Sequence, residues 1–211
     1  MTDDHMQETF KRVEQTIQQL VASKSNEEAK QTYAEWQTYD DDLDAYGYVA
    51  PQIATELLTS MIAATSAPIY DAGCGSGKVG KLLAAAGYNQ LTGADLSESM
   101  LQRARKTGVY RELKIADFST ALAEQDEHYE GLISVGVWND GFGENLTREM
   151  LRITKPGAAI VFSVRPQFVN KLQPILNELE AQKKIASLTQ QRGDYITGQG
   201  SEAEYIGFHK Q

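Results

Sequence analysis

Asp71 and the glycines that follow it form the stretch of the sequence best suited to bind a ligand. The carboxylate precedes Gly73, Gly75 and Gly77, and the apolar run before it and the helical pattern over residues 78–86 predict a strand, a turn and a helix. Such a turn presents unpaired backbone N–H groups and the positive end of a helix. Glycine suits the turn because a side chain would block close approach of a ligand to the backbone. The spacing favours a ligand-binding loop over a tight turn that binds nothing.

Two common phosphate-binding loops do not fit this spacing. A Walker loop would need glycine at position 72 and Ser or Thr at position 79, where the chain has Ala72 and Val79. A dinucleotide-binding loop starting at Gly73 would need a small residue at position 78, where the chain has Lys78. The pattern that remains is an acid followed by alternating glycines, D-x-G-x-G-x-G from Asp71.

Two further acids follow predicted strands and extend the candidate site. Asp95 ends a short apolar strand over residues 91–94 and lies twenty residues after Gly75, where a doubly wound fold places the acid that binds both ribose hydroxyls. A carboxylate suits a vicinal diol because both of its oxygens accept hydrogen bonds. Asp117 and Phe118 follow a third predicted strand. Acids at the ends of three successive strands are far more specific than any one of them.

The pattern D-x-G-x-G-x-G resembles motif I of the class I S-adenosylmethionine (SAM)-dependent methyltransferases, and the resemblance extends over residues 33–165. It implies an α/β, Rossmann-like fold, with a seven-stranded, mostly parallel sheet flanked by helices and an antiparallel last strand. It implies that Asp71 and the glycines hold the methionyl end of SAM and that Asp95 binds the ribose. Asp117 would accept a hydrogen bond from the adenine amino group, and Phe118 would pack on the ring.

The resemblance therefore predicts SAM as the cofactor and S-adenosylhomocysteine as its product. A third acid after the third strand is of less use to a nicotinamide enzyme. The predicted cofactor-binding residues are Trp36, Tyr39, Asp71, Gly73, Cys74, Gly75, Asp95, Leu96, Met100, Asp117, Phe118, Val135 and Gly136. For Cys74, a small residue that fills the turn is the favoured interpretation over a catalytic thiol.

The N-terminal part of the chain predicts a helical extension. Residues 4–23 have the pattern of an amphipathic helix, with one apolar face that would pack on the domain or, alternatively, form a homodimer. The stripe on that face consists of Met6, Phe10, Val13, Ile17 and Leu20. Residues 33–51 are dense in aromatic and acidic side chains, which would either close over a sulfonium cation or form a solvated acidic face.

Motifs in this segment resemble the N-terminal signature of the Williams–Beuren critical-region methyltransferase-like subgroup, in which the segment lies over the cofactor pocket. The matching motifs are Trp36, Tyr39-Asp40, Asp42-Leu43, Gly47-Tyr48 and Ala50-Pro51, with Gly108-Val109-Tyr110 further along. We therefore expect residues 1–50 to form a helical lid segment packed on the domain and residues 51–211 to form the SAM-binding methyltransferase domain.

The rest of the chain alternates between predicted helices and strands, as a mostly parallel sheet requires. The predicted elements are a helix over residues 51–64, a fourth strand over 131–137, a helix over 144–154, a turn at 155–157, a fifth strand over 158–164, a helix over 168–184 and a closing hairpin of 185–197 and 202–208. Ligands in such sheets bind beyond the carboxyl ends of the strands.

The loops after the fourth and fifth strands are expected to border the methyl acceptor. The loop over residues 138–143 lacks the Asn/Asp-Pro-Pro-Tyr signature of enzymes that methylate amino groups of nucleobases. Arg165 would pair with a substrate carboxylate or with a neighbouring acid. The candidate substrate contacts are Tyr46, Tyr48, Trp138, Asp140 and Arg165. None of them is assigned a catalytic role, and the three histidines are poorly placed to act as bases.

Composition restricts the partners and the compartment. A length of 211 residues suits one domain, and a net charge of −9 argues against a nucleic-acid partner. The sequence has neither a long apolar run for a membrane span nor a signal peptide. One cysteine fits a reducing, cytoplasmic location, and the histidines lack metal-ligand spacing.

The sequence thus predicts a cytoplasmic SAM-dependent methyltransferase, monomeric or homodimeric, that acts on a small-molecule acceptor without a metal, nucleic acid or membrane. Two alternatives remain open at this point. One is a SAM-binding module that catalyses no transfer, and the other is a nicotinamide-dependent oxidoreductase. Neither the acceptor nor the methylated atom can be identified from the sequence.

Overall fold

A single seven-stranded sheet forms the centre of the protein. The structure is a computed structural model, which describes the backbone of residues 3–22, 26–197 and 200–211 and the side chains of residues 10–20, 27–197 and 200–211. The strands are β1 (Ile69–Ala72), β2 (Leu91–Asp95), β3 (Glu112–Ile115), β4 (Tyr129–Ser134), β5 (Thr154–Val164), β6 (Ile185–Ile196) and β7 (Ser201–Lys210). Their order is β3-β2-β1-β4-β5-β7-β6; strands β1–β5 pair in parallel, and β7 runs antiparallel to both β5 and β6. The predicted fold class is confirmed.

The structure describes eight helices, of which three form the N-terminal extension and five flank the sheet. They are α1 (Asp3–Ala22), α2 (Asn26–Glu35), α3 (Tyr39–Tyr46), α4 (Ala50–Met61), α5 (Lys78–Ala85), α6 (Glu98–Thr107), α7 (Gly143–Ile153) and α8 (Pro166–Ala181). None of the helices in the described ranges has the length and apolarity needed to cross a membrane.

From Ala158 to Val164, strand β5 is buried on both faces, with successive side chains pointing to opposite sides of the sheet. Ile160 and Phe162 belong to the hydrophobic cluster that includes residues of α7 and α8. Ala159 and Val161 belong to the cluster that includes residues of α4 and α5. Burial of apolar surface on both faces therefore holds the two helical layers to the sheet. Such burial contributes a free energy of about 25 cal/mol for each Å² removed from water.

The strand order changes direction between the neighbouring strands β1 and β4. Strands β2 and β3 lie beyond β1, whereas β5 lies beyond β4. In parallel sheets the loops on either side of such a point diverge and leave a crevice at the carboxyl ends of the strands. Asp71 in β1, Asp95 at the end of β2 and the loop after β4 are therefore brought to one edge.

Helices α1–α3 form the predicted helical extension and pack on one another through a small core. Val13, Trp36 and Leu43 are its buried members. The buried carboxylate of Asp42 accepts hydrogen bonds from the Trp36 indole N–H at 2.7 Å and from the Thr38 hydroxyl at 2.6 Å. The predicted helix over residues 4–23 corresponds to α1, although its residue 23 and the Met6 side chain lie outside the described residues.

Three local features differ from the sequence prediction. Strand β4 ends at Ser134 rather than at residue 137, because Gly136 adopts a φ of +75° that is incompatible with extended backbone. The predicted turn at 155–157 lies within β5 as a bulge, where the register to β4 shifts. Helices α2 and α3 were not predicted, because their sequences have little apolar periodicity.

Candidate active site

A cavity of about 290 Å³ lies at the carboxyl ends of the parallel strands, beneath α1–α3. Its volume is close to the lower end of the range for small-ligand pockets. It is lined by eleven of the predicted cofactor-binding residues: Trp36, Tyr39, Gly73, Gly75, Asp95, Leu96, Met100, Asp117, Phe118, Val135 and Gly136. The predicted substrate contacts Tyr48, Trp138 and Arg165 line it as well. Predicted cofactor-binding residues and predicted substrate contacts therefore line the same cavity.

We call the part of the cavity around Asp95, Asp117 and Phe118 its acidic end, and the part around Tyr48 and Arg165 its arginine end. The acidic end follows β2 and β3, whereas the arginine end includes the residue after β5. The two ends lie on opposite sides of the crevice between β1 and β4.

The glycine loop after β1 is fixed by backbone hydrogen bonds to β2. The N–H groups of Gly73 and Cys74 both donate to the carbonyl of Ala94, at 2.8 and 2.9 Å. Gly73 has a φ of +77°, and a Cβ there would lie 2.1 Å from Val137 Cγ2. Gly75 also has a positive φ, but a Cβ on it would meet nothing within 4 Å. Gly75 lines the cavity, so its missing side chain leaves space for a ligand.

Asp95 is held in place by the glycine loop and by the start of α6. Its Oδ2 accepts a hydrogen bond from Gly75 N–H at 2.9 Å, and its Oδ1 accepts one from Ser97 N–H at 2.9 Å. Ser97 in turn caps α6 by accepting from Met100 N–H. Burial raises the pKa of Asp95, and these backbone hydrogen bonds oppose the rise. Each carboxylate oxygen has a further lone pair that a hydroxyl could use.

Asp117 and Phe118 complete the acidic end. Asp117 Oδ1 accepts hydrogen bonds from Ser119 N–H at 2.9 Å and from the Ser119 hydroxyl at 2.6 Å. Phe118 is buried, and its carbonyl accepts a hydrogen bond from Asn145 Nδ2 at 2.9 Å. This end therefore presents a second oriented carboxylate beside an aromatic ring.

Asp71 and Cys74 do not line the cavity, unlike the other predicted cofactor contacts. Asp71 is buried and accepts a hydrogen bond from the Tyr110 hydroxyl at 2.6 Å, while its Oδ1 is buried with no hydrogen-bond partner among the described residues. Burial raises its pKa to about 7, against the effect of the Tyr110 hydrogen bond. The predicted contact between Asp71 and the methionyl group stays a prediction.

Cys74 packs beneath the glycine loop with Leu101 and Ala104 of α6. Burial raises the pKa of its thiol well above the ordinary value. A thiol that stays protonated and does not line the cavity is unsuited to nucleophilic catalysis. This placement agrees with the interpretation of Cys74 as a small residue that fills the turn.

Trp36 and Tyr39 form part of the cavity roof and are anchored to α6. The Arg103 guanidinium donates to the Trp36 carbonyl at 2.6 Å and lies 5.9 Å from the centre of the Tyr39 ring. The two aromatic rings meet edge to face at 5.1 Å. Because α6 begins just after Asp95, the roof is tied to the same helix that positions the acid.

Helix α3 is also bound to the glycine loop through polar side chains. The Ser76 hydroxyl donates to Asp40 Oδ1 at 2.6 Å. The Lys78 ammonium pairs with Asp44 at 2.6 Å and lies 3.4 Å from Asp40. Lys78 is the residue that departs from the dinucleotide-binding pattern, and in this structure it holds the N-terminal extension against the loop.

The arginine end combines tyrosine hydroxyls with one guanidinium. The Tyr48 and Tyr195 rings meet edge to face at 5.0 Å, and a Cβ on Gly136 would lie 2.7 Å from the Tyr195 hydroxyl oxygen. The Trp138 indole N–H donates to the Thr147 hydroxyl at 3.1 Å. Burial raises the pKa of Tyr48, so its hydroxyl stays protonated at neutral pH.

Two predicted substrate contacts lie outside the cavity. Tyr46 packs edge to face against Phe10 of α1, with the ring centres 5.3 Å apart. Asp140 is exposed and pairs with Lys171 at 2.5 Å, and this pairing lowers the pKa of its carboxyl. The loop after β4 still borders the cavity, but through its neighbouring residues rather than through Asp140.

Ten lining residues were not among the predicted site residues. They are Ile17, Leu20, Ala29, Tyr33, Leu43, Val137, Asn139, Phe142, Tyr195 and Ile196. Tyr33 carried a signal, since it starts the aromatic-rich segment over residues 33–51. Tyr195 carried none, because it belongs to an alternating strand and reaches the cavity only through the pairing of β6 with the loop before α4.

Comparison with known proteins agrees with this geometry. Residues 69–157 match the family model of a methyltransferase domain. The chain is 31% identical to methyltransferase-like protein 27 of Homo sapiens over 150 residues. That match covers 67% of this chain and 61% of the human protein, so the chain spans less than two thirds of this relative's length.

Solved structures that share this fold include the following two. A chain of the complex between the Haloferax volcanii Trm112 methyltransferase activator and a methyltransferase aligns with a TM-score of 0.64 at 14% identity, over 85% of this chain and 96% of that one. A TehB-like SAM-dependent methyltransferase from Corynebacterium glutamicum aligns with a TM-score of 0.61 at 21% identity, over 86% and 98%. At these identities the likeness establishes the fold.

The matched domain runs from β1 into β5 and so contains the glycine loop, Asp95 and Asp117. The class-level resemblance read from the sequence is confirmed, whereas the narrower subgroup stays a prediction. Residues 69–157 thus match a methyltransferase domain, and the chain has the fold of the class I SAM-dependent methyltransferases.

Proposed function

We propose that the protein transfers a methyl group from SAM to a small-molecule acceptor and releases S-adenosylhomocysteine. One observation carries this proposal: a single cavity joins the acids after β2 and β3 to the residues after β4 and β5 beneath an aromatic roof. The family assignment leaves the nicotinamide alternative without support.

The residues at the acidic end fit SAM. Asp95 offers acceptor oxygens for the ribose hydroxyls, and Asp117 with Phe118 offers an acceptor and an apolar ring for adenine. Gly75 leaves open space beside the loop, where a side chain would intrude. The faces of Trp36 and other roof aromatics suit a sulfonium cation. When bound, SAM supplies an electrophilic methyl group.

The chain itself would contribute alignment and exclusion of water. Holding two reactants in line is worth about 7–11 kcal/mol in well-oriented systems. Helices α1–α3 would supply the cover, because Lys78 and Ser76 bind α3 to the glycine loop. We therefore propose that residues 1–50 act as a lid over the domain of residues 51–211.

A small acceptor is supported by the size and the charge of the site. A cavity of about 290 Å³ is close to the lower end of the volumes found for small-ligand pockets, and a net charge of −9 disfavours nucleic acid. The buried, unpaired thiol of Cys74 supports a reducing compartment such as the cytoplasm.

Calorimetric titration with SAM, S-adenosylhomocysteine and NADH would test the cofactor assignment. We expect both adenosyl compounds to bind and NADH not to bind. Asp95→Ala should weaken SAM binding by about 1–3 kcal/mol, because it removes the ribose acceptors. Asp140→Ala is the control, since it removes an exposed acid outside the cavity. Equal affinities for parent and Asp95→Ala would refute the role of Asp95.

A SAM-binding module without transferase activity is the second candidate. It is favoured by the absence of any histidine, lysine or cysteine among the described residues that line the cavity. Incubation with methyl-labelled SAM and a cell extract divided into low-molecular-mass and macromolecular fractions would distinguish the two. Label in the small-molecule fraction supports the transferase, label on macromolecules contradicts the small acceptor, and binding without labelled product supports the module.

A further inference from the structure

Arg165 is a cation at the arginine end of the cavity, and none of the acids whose side chains the structure describes pairs with it. It follows β5 directly and precedes Pro166, the first residue of α8. Its guanidinium lies 5.7 Å from the centre of the Phe168 ring, and no described carboxylate lies within ion-pair distance of it. The sequence left open a substrate carboxylate or a neighbouring acid as its partner, and the described acids do not supply one.

The other arginines of the chain differ from Arg165 in this respect. Each of them has a side-chain hydrogen bond to a carboxylate or to a backbone carbonyl: Arg12 to Asp42, Arg103 to Trp36, Arg105 to Glu98, Arg111 to Asn89, Arg148 to Glu144, Arg152 to Glu149, and Arg192 to Glu202. A half-buried guanidinium with donors to spare is suited to a planar anion, which it can bind through two parallel hydrogen bonds.

The arginine end has no histidine, lysine, cysteine or carboxylate among its described lining residues that could act as a general base. Apart from Asp95 and Asp117 at the acidic end, the titratable lining side chains in the described part of the chain are Arg165 and tyrosines. Burial raises the pKa of Tyr33, Tyr39 and Tyr48. An acceptor that arrives as a neutral phenol, alcohol or ammonium would need a base that this end does not provide.

We propose, on the basis of the proposed transferase function, that the acceptor is a carboxylic acid with an aromatic-sized apolar body, bound by Arg165 and methylated on its carboxylate. A carboxylate is already ionised at neutral pH and therefore needs no base. The body would occupy the space bordered by Tyr48, Trp138 and Tyr195. The positive N-terminal end of α8 adds to the charge of the guanidinium.

The proposed transfer conserves atoms and charge. One carboxylate oxygen forms a bond to the methyl carbon with its lone pair, while the bond from that carbon to the sulfonium sulfur breaks and its electron pair stays on sulfur. The anionic acid and the cationic donor become a neutral methyl ester and a neutral thioether. No proton is taken up or released, in agreement with an arginine end whose described lining offers no base.

Tryptophan fluorescence offers a binding test that is independent of turnover, because both tryptophans of the chain, Trp36 and Trp138, line the cavity. The probes are phenylacetate and its neutral amide, phenylacetamide, in the presence of S-adenosylhomocysteine. We expect the parent to bind the acid about 10-fold or more tightly than the amide, as a charge-assisted pair allows. Arg165→Gln should lose this preference, Arg165→Lys should keep part of it, and Arg148→Gln, an exposed control, should keep all of it.

The chemical test is the stability of the labelled product to alkali. Methyl esters release labelled methanol in mild base, whereas methyl ethers, amines and thioethers do not. We expect alkali-labile label in the small-molecule fraction for the parent and for Arg148→Gln, and at least a 10-fold loss for Arg165→Gln. Alkali-stable label overturns methylation of the carboxylate.

Three results would separate the failure of this proposal from the failure of the transferase function. Equal binding of acid and amide by the folded parent overturns the carboxylate partner. Weaker S-adenosylhomocysteine binding in Arg165→Gln, with no change in acid preference, assigns Arg165 to the cofactor and also overturns it. If no fraction accepts label, the transferase function fails, yet loss of the acid preference in Arg165→Gln still supports a carboxylate at Arg165.

Discussion

The acidic end and the arginine end of the cavity are built in different ways. The acidic end lies beside the glycine loop, and its carboxylate at Asp95 is positioned by backbone N–H groups of Gly75 and Ser97. The arginine end brings Tyr48 together with Tyr195 from a strand far along the chain. Local backbone geometry therefore defines one end, and long-range side-chain packing defines the other.

Because of this difference, the two ends are suited to different kinds of ligand. A loop held by backbone hydrogen bonds tolerates changes in most side chains around it, provided that its glycines and acids remain. A surface made of packed side chains changes shape with each substitution. The acidic end is thus suited to a ligand that a whole family shares, whereas the arginine end is suited to an acceptor that differs between family members.

The largest effect is expected from Gly73→Ala, which would disrupt the acidic end. Its new Cβ would lie 2.1 Å from Val137 Cγ2. Gly157→Ala is the matched control, because Gly157 has a similar φ of +83° but nothing within 4 Å of a Cβ. We expect Gly73→Ala to lower the free energy of unfolding by about 1–3 kcal/mol more than the control. Chemical denaturation would measure this, and equal losses would show that the loop can shift.

An effect of similar size and opposite sign is expected at Asp71, where the charge of a buried acid opposes folding. Its pKa rises from 3.8 to about 7 on folding, so its contribution to stability is best below pH 3.8 and is lost as the pH rises through 7. Asp71→Asn should therefore stabilise the protein by about 1–3 kcal/mol at pH 8 and by less at pH 5. Denaturation at the two pH values would measure the gain, and an equal gain at both would contradict the raised pKa.

The smallest effect is expected at Asp42, which organises the roof of the cavity. Burial alone would raise the pKa of Asp42, but hydrogen bonds from Thr38, Trp36 and Arg12 lower it below its ordinary value. Asp42→Asn should weaken these contacts and destabilise the roof by about 1 kcal/mol. Asp41→Asn is the control, because it removes the same charge from an exposed neighbour.

Emission of Trp36 in a Trp138→Phe background would report on the roof separately from the sheet. We expect Asp42→Asn to shift this emission to longer wavelength, and Asp41→Asn to leave it unchanged. Identical spectra for the two variants would show that Asp42 does not hold Trp36. A shift together with unchanged S-adenosylhomocysteine affinity would show that the roof serves the acceptor rather than the cofactor.

Periodicity and motif spacing were sufficient to predict the sheet and most of its helices. The alternation of apolar runs and helical stripes reflects burial, which is the same physical cause that forms the core. The same spacing placed Asp95 and Asp117 at one edge, because the carboxyl ends of parallel strands meet there. Tyr46 was selected from the aromatic-rich segment and Asp140 from the loop after the fourth strand, and the structure places both outside the cavity.

The sequence by itself determined the acidic end, because an acid, its glycines and the strand before them are local in the chain and their backbone geometry depends little on the rest of the fold. The tertiary structure decided the arginine end, where Tyr195 reaches Tyr48 only through strand pairing and Arg165 lines the cavity without a partner among the described acids. Contacts between residues far apart in sequence depend on how helices and strands pack, and no local pattern encodes that packing.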